Sequence, residues 1–170
     1  MFDGAWAHDA EGAAATPLVW LPREVAHDAM MQGTVEVRLP DGGTRLLNVD
    51  QHNGRPYRPG VASESQERMW YFRRVERVLG WGRDGDKVAL GAGVSVAGDI
   101  YNLGLGKLVA LEDPRTGALR LVVLGDTGGA FQPNLFQLDD FVGAFPDRAA
   151  LGRAVAGQSG TVRAGVLILR

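Results

Sequence analysis

The residues best suited to chemistry in this sequence are aspartates set beside glycines and apolar side chains. Gly125-Asp126-Thr127-Gly128-Gly129-Ala130-Phe131 follows the apolar run Leu121-Val122-Val123-Leu124 directly, so Asp126 falls at the end of a strand predicted to be buried. Gly128 and Gly129 let the backbone approach a ligand closely or take positive φ. An acid at such a place is rarely free. Asp126 is either a hydrogen-bond acceptor for a turn, the usual work of Asp there, or part of a site. Asp139 and Asp140 are bracketed by Leu135, Phe136, Leu138, Phe141, Val142 and Phe145. A carboxyl set against apolar and aromatic groups has its charged form desolvated, which raises its pKa and prepares it for general-acid work near neutral pH. The alternative is that one of the two caps a turn while the other faces water, and for Asp140 this is preferred.

Other chemistries are poorly supplied. With no cysteine, thiolate zinc sites, iron–sulfur clusters, disulfides and cysteine nucleophiles are excluded. His8, His27 and His52 are far apart and lack the spacing of a ligand set, so no metal is expected. Gly80-Trp81-Gly82-Arg83-Asp84-Gly85-Asp86 lacks the full acidic loop of an EF-hand, and Leu103-Gly104-Leu105-Gly106-Lys107 is too short for a nucleotide fingerprint. The first reads as an exposed turn. A net charge of −2 gives none of the basic field of a nucleic-acid binder. No apolar run approaches the ~20 residues of a membrane span, and Met1-Phe2-Asp3-Gly4-Ala5-Trp6 lacks the regions of a signal peptide.

These residues must be held by a mostly β scaffold. Short runs of β type occur at Leu18–Leu21, Thr34–Leu39, Arg45–Val49, Lys87–Leu90, Val94–Ala97, Lys107–Leu111, Ala118–Leu124 and Arg163–Leu169. Pro40-Asp41-Gly42-Gly43 and Asp113-Pro114-Arg115-Thr116-Gly117 read as hairpin loops between them. Many short strands among 24 glycines argue for a sandwich or a small barrel. Two segments read as helices. Ser63-Glu64-Ser65-Gln66 matches a capping box opening a stretch to Leu79, with Met69, Phe72, Val75 and Leu79 near helical spacing, although Trp70-Tyr71-Phe72 also suits a strand. Asp147 is placed to cap Asp147–Ala156. Residues 1–15 are expected to be loosely ordered, with one domain over 16–170.

The aspartate motifs resemble those of the three-aspartate domain of the membrane-bound lytic transglycosylase A family. Its pattern is Asp-x-Gly-Gly-Ala-Ile-Lys-Gly, then Asp-x-aromatic-x-Gly; here Asp126–Phe131 and Asp139-Asp140-Phe141-Val142-Gly143 stand in that order. His52-Asn53-Gly54-Arg55-Pro56-Tyr57 is similar to the family's Asn-Gly-x-x-Tyr segment. Ala97-Gly98-Asp99 with Leu103-Gly104 is similar to its Ala-x-Asp-Pro…Leu-Gly element. Trp70-Tyr71-Phe72-Arg73 and Arg163–Leu169 are similar to its aromatic segment and its closing strand, collinear from about residue 34 onward.

The resemblance implies a six-stranded double-psi β-barrel with one or two short helices. It also implies a lytic transglycosylase acting on peptidoglycan glycan strands. Such an enzyme cleaves the bond between N-acetylmuramic acid and N-acetylglucosamine without water and leaves a 1,6-anhydro ring. Carried over by residue, the lone acid/base falls on Asp139, while Asp126 and Asp99 orient the sugar or tune that acid. Thr127, Gly128 and Gly129 accompany Asp126 as supporting residues. Asn53 and Tyr57 line the glycan groove, or else form a turn with a packed tyrosine. No cofactor is implied, because the nucleophile belongs to the substrate. The expected location is the periplasm, the cell envelope or the exterior, reached by export or within a phage or secretion assembly.

The sequence also departs from the family. Phe131-Gln132-Pro133 stands where the family has Ile-Lys-Gly, Leu138 precedes the second motif, and the interval from Pro59 to Trp70 is too short for the family's second, groove-forming domain. Two other functions compete. Asp126-Thr127-Gly128 matches the signature of an aspartic protease, which this chain could complete as a dimer. A non-catalytic glycan-binding barrel, or a structural barrel of a phage tail or cell wall, fits the missing domain.

Overall fold

The computed structural model describes residues 16–62, 65–82 and 86–168. The stretch 1–15, expected to be loosely ordered, and Ser63 and Glu64 of the predicted capping box lie outside the described residues. The chain forms two compact units, Met1–Val78 and Leu79–Arg170, and its regular structure is mainly β.

In the first unit, α1 (Arg23–Gln32) leads into β1 (Thr34–Arg38), β2 (Thr44–His52) and β3 (Trp70–Val75). The helix has no polar side-chain cap: Pro22 sits at the N-cap, its carbonyl takes the Ala26 N–H (2.9 Å), and Gly33 ends the helix at φ 77°. Ala26 and Ala29, three apart on one face, are its buried residues. The strands form an antiparallel sheet, β1-β2-β3. The predicted hairpin forms, with Gly42 at φ 83° and the Asp41 carboxylate accepting from the Gly43 N–H (2.9 Å).

The helix predicted to run to Leu79 is absent, and β3 takes its place. Phe72 pairs with Val49 and Val75 with Leu46. Aromatic and β-branched side chains fill a pleated surface well, and the spacing of Met69, Phe72 and Val75 matches a helix by coincidence. Gln66 is not part of a helix cap either. It is buried, donates to the carbonyls of Arg58 (2.8 Å) and Val61 (2.9 Å), and accepts the Arg58 N–H (3.0 Å), fastening the loop before β3.

The second unit holds β4 (Ser95–Ala97), α2 (Ile100–Leu103), β5 (Leu108–Glu112), β6 (Leu119–Asp126), a 3-10 turn (Gly129–Phe131), β7 (Asp139–Asp140), α3 (Arg148–Val155) and β8 (Arg163–Val166). The five strands lie in the order β7-β4-β6-β5-β8. β4 and β6 run parallel, and the other pairs are antiparallel. Val96, Ile100, Val109, Leu111, Val122 and Leu124 form its core, with Leu103, Leu138 and Val166 against it. Asp147 caps α3 as expected, accepting the Ala150 N–H (2.7 Å).

The described strands thus form two sheets, and no closed six-stranded barrel is present among them. β7 and β8 end the larger sheet, and β7, with two residues, is too short to carry its ladder further. Of the predicted strands, Leu18–Leu21 is irregular, and Lys87–Leu90 contributes only a bridge between Ala89 and Leu79. Three α-helices occur among the described residues, one more than the upper expectation.

Candidate active site

Asp126 is the last residue of β6, the central strand of the larger sheet. Val122 and Leu124 anchor that strand with no exposed surface. Ser95 pairs with Val123, Val96 with Leu124, but Ala97 with Asp126, so Gly125 is bulged out of register. A bulge re-aims the side chain that follows it. The Gly125 carbonyl accepts the Trp81 N–H (3.0 Å), and the Gly98 N–H donates to the Asp126 carbonyl (3.0 Å). A side chain on Gly80 would collide with the Gly125 carbonyl and with Leu90, and one on Gly98 would press on Leu138 and Leu124. Glycine at both places lets two further segments close on the strand end.

This enclosure sets the chemistry of Asp126. Burial pushes its carboxyl above the ordinary carboxylate value, while the Thr127 backbone N–H and the positive charge of Lys87 act the other way and offset it only in part. Beside it, the Thr127 hydroxyl oxygen is buried without a hydrogen-bond partner. Gly128 is extended (φ −162°), and Gly129 opens the 3-10 turn, so neither uses the positive φ allowed for them. Space above Gly129 is open, which fits close approach of a ligand.

Asp139 pairs with Ala97 from the side opposite Asp126. It is exposed, and its carboxylate accepts from the Gln137 side-chain amide (3.0 Å). The enclosure expected around it is found around Asp126. The apolar neighbours in sequence do not cover it: Leu135 and Phe136 point to solvent, Phe136 entirely so. Asp140 is bound to Arg120 (2.7 Å), whose other nitrogen reaches the Gly93 carbonyl (3.3 Å). It is neither a turn cap nor a free surface group.

Asp99 is fully buried. It caps α2 through the Asn102 N–H (3.1 Å) and accepts from the Asn102 amide (2.7 Å) and the Asn134 N–H (3.2 Å). The Asn102 side chain above all, then the backbone N–H groups of Asn102, Asn134 and Tyr101, hold its carboxylate below the ordinary value against the opposing effect of burial. Its oxygens are engaged in tying α2 to the 132–138 loop.

Asn53 and Tyr57 belong to the first unit. Asn53 donates to the Glu67 carbonyl (2.9 Å) and accepts from the N–H groups of Met69 (3.1 Å) and Arg55 (3.3 Å), fastening its loop. Gly54 turns at φ 77°. Tyr57 is exposed, not packed.

Sequence reasoning missed Trp81 and Tyr101. Both are exposed aromatics in the second unit, in edge-to-face contact with ring centroids 6.2 Å apart. An exposed indole among glycines was the available signal. Among the described residues, no group of three or more His, Asp or Glu could hold a metal ion, and no helix is long and apolar enough to cross a membrane.

No protein-family model and no curated protein matches the chain. Among solved structures it is similar to MltA from Neisseria gonorrhoeae, with 20% identity and a TM-score of 0.50 over 72% of this chain and 40% of that one. It is also similar to Escherichia coli MltA with bound chitohexaose (21% identity, TM-score 0.46, 61% of this chain and 43% of that one). A third is the lytic transglycosylase LtgG of Burkholderia pseudomallei (22%, 0.39, 82% and 53%). The chain spans about half the length of these proteins, or less. What this likeness shows is a fold shared with MltA over much of the chain.

Proposed function

We propose that this chain carries a peptidoglycan lytic-transglycosylase site in which Asp126 is the proton donor. The observation that carries this is the enclosure of Asp126 at the bulged end of β6, which keeps its carboxyl protonated to a higher pH than an ordinary aspartate. The fold shared with MltA and the ordered motifs favour the same chemistry. Asp126 gives its proton to the glycosidic oxygen as the bond from that oxygen to the muramoyl anomeric carbon breaks. The muramoyl 6-hydroxyl oxygen then bonds to the anomeric carbon, and its proton passes to the Asp126 carboxylate. A 1,6-anhydro product results, no water is consumed, and the acid is regenerated without a cofactor. The motif carry-over names Asp139 as the acid. In our assignment Asp139 meets the substrate from the solvent side, as an exposed carboxylate two strands away. Action on the wall places the working protein in the periplasm or outside the cell, by export or in a phage or secretion assembly.

The experiment is incubation of the protein with cell-wall sacculi and mass analysis of the products. Anhydro-muropeptides that disappear with Asp126→Asn support the assignment. Loss confined to Asp139→Asn moves the acid to that residue. Wall binding with no product from the wild type or either variant indicates a non-catalytic glycan-binding barrel, and pepstatin-sensitive proteolysis a dimeric aspartic protease.

A further inference from the structure

The ring pair Trp81–Tyr101 is not used by the proton transfer. Trp81 is 40% and Tyr101 62% exposed, and their planes meet at 71°, so the two rings form an open corner. Both hang from segments fixed to the end of β6. Trp81 is tied to Gly125 through its own N–H, and Tyr101 lies in α2, three residues after Gly98, which is tied to Asp126. Beside the corner lies an open hollow of ≈ 260 Å³ lined by Asp99, Tyr101, Asn102, Gln132 and Pro133. Tyr101 belongs to both features. Gln132 is exposed, and its side-chain amide takes no protein partner among the described residues.

We propose that this corner and hollow bind an N-acetylated amino sugar, with one pyranose face on the Tyr101–Trp81 rings and its acetamido group on the Gln132 amide. The electron-rich face of an aromatic ring attracts the polarised C–H bonds on the flat side of a pyranose, and an amide is the matching donor and acceptor for an acetamido group. The inference rests on the glycan-directed function above and adds to it the ring pair Trp81–Tyr101, which the aspartate motifs do not contain.

The test is titration of the whole protein with chitohexaose and, in parallel, with cellohexaose, which lacks acetamido groups. Tyr101→Ala is expected to weaken chitohexaose binding at least about tenfold, as truncating an aromatic anchor does, while Tyr101→Phe stays near wild type. Gln132→Ala should narrow the preference for chitohexaose over cellohexaose, and thermal midpoints should confirm folding of each variant. Wild-type binding by Tyr101→Ala, or equal affinity for the two sugars, overturns the subsite. The two proposals fail separately. Tyr101-dependent binding without wall cleavage removes the catalytic assignment alone, whereas cleavage by a protein indifferent to Tyr101→Ala removes the subsite alone.

Discussion

Asp126 and Asp139 pair with the same residue, Ala97, from its two sides. At one strand spacing per step their backbones lie about 10 Å apart across β4. The two carboxylates are therefore neighbours in the sheet although thirteen positions apart in sequence, and only Asp126 is enclosed. Asp126→Asn should lower wall cleavage by about 10²–10⁴-fold, the usual contribution of a general acid, and Asp139→Asn by much less. Product chemistry decides the mechanism. Reducing ends in place of anhydro rings would show hydrolysis, and inverted anomeric configuration at those ends would show the two carboxyls working as the acid and base of an inverting enzyme, which places its pair ~6.5–9.5 Å apart.

The raised pKa of Asp126 makes a second prediction, with a definite sign. The folded protein holds this proton to a higher pH than the unfolded chain, whose aspartates titrate near 3.8. Stability should therefore fall as pH rises from that value through the folded pKa, because ionisation is costlier in the enclosed site. Asp126→Asn should remove this slope and raise the thermal midpoint at neutral pH. Cleavage by the wild type should decline over the higher part of the same range, since the donor must be protonated. Melting curves from pH 3 to 8 for both proteins check the first part; a wild-type midpoint indifferent to Asp126→Asn throughout would show that Asp126 carries no burden of burial.

Asp99 predicts the opposite pH dependence. Its folded pKa is depressed, so its contribution is present above the ordinary aspartate value and is lost as pH falls through the folded one. Asp99→Asn should lower the thermal midpoint at neutral pH, with the difference from wild type shrinking in acid. Hydrogen exchange should quicken at Asn102 and Asn134, the N–H groups it holds. If Asp99 instead touched substrate directly, Asp99→Asn would impair cleavage without changing either readout.

Much of the scaffold could be read from residue order, and the failures have physical causes. The β1–β2 and β5–β6 hairpins follow from Pro40–Gly43 and Asp113–Gly117, whose Asp and Gly residues close the turns locally. The strand end at Asp126 follows from Val122 and Leu124, which have no other place to go than the core. At β3 one aromatic pattern satisfies both the helical and the strand period, and only the ladder to β2 chooses the strand. The exposure of Asp139 departs from its predicted enclosure for a different reason. Apolar neighbours in sequence enclose a carboxyl only if the chain turns them toward it, and Leu135 and Phe136 turn away. The enclosure of Asp126 comes from Gly80, Trp81 and Gly98, contacts no local window reveals.

Arg120 and Asp140 give a prediction about positioning without catalysis. The 2.7 Å pair joins β6 to β7, and Arg120 reaches Gly93 as well. Both side chains are partly exposed, so Arg120→Ala should cost about 1 kcal/mol or less in stability. Its effect on cleavage should be modest and should appear in KM before kcat, because β7 carries Asp139 but not the donor. An effect on kcat as large as that of Asp126→Asn would mean that β7 holds the reacting carboxyl.

The glycines separate packing from ligand approach. A side chain at Gly98 meets Leu138 at 2.7 Å and Leu124 at 3.0 Å, so Gly98→Ala should destabilise by about 1–3 kcal/mol, as overpacked cores do. At Gly129 nothing lies within 4 Å of an added Cβ and φ is not positive. Gly129→Ala should therefore be neutral or stabilise by up to about 1 kcal/mol, chiefly by restricting the unfolded chain. If the open space above Gly129 belongs to the glycan, this same variant should raise KM for sacculi or chito-oligosaccharides although the fold is unharmed. Equal kinetics for Gly129→Ala and wild type would mean that the glycine pair serves the turn and not the substrate.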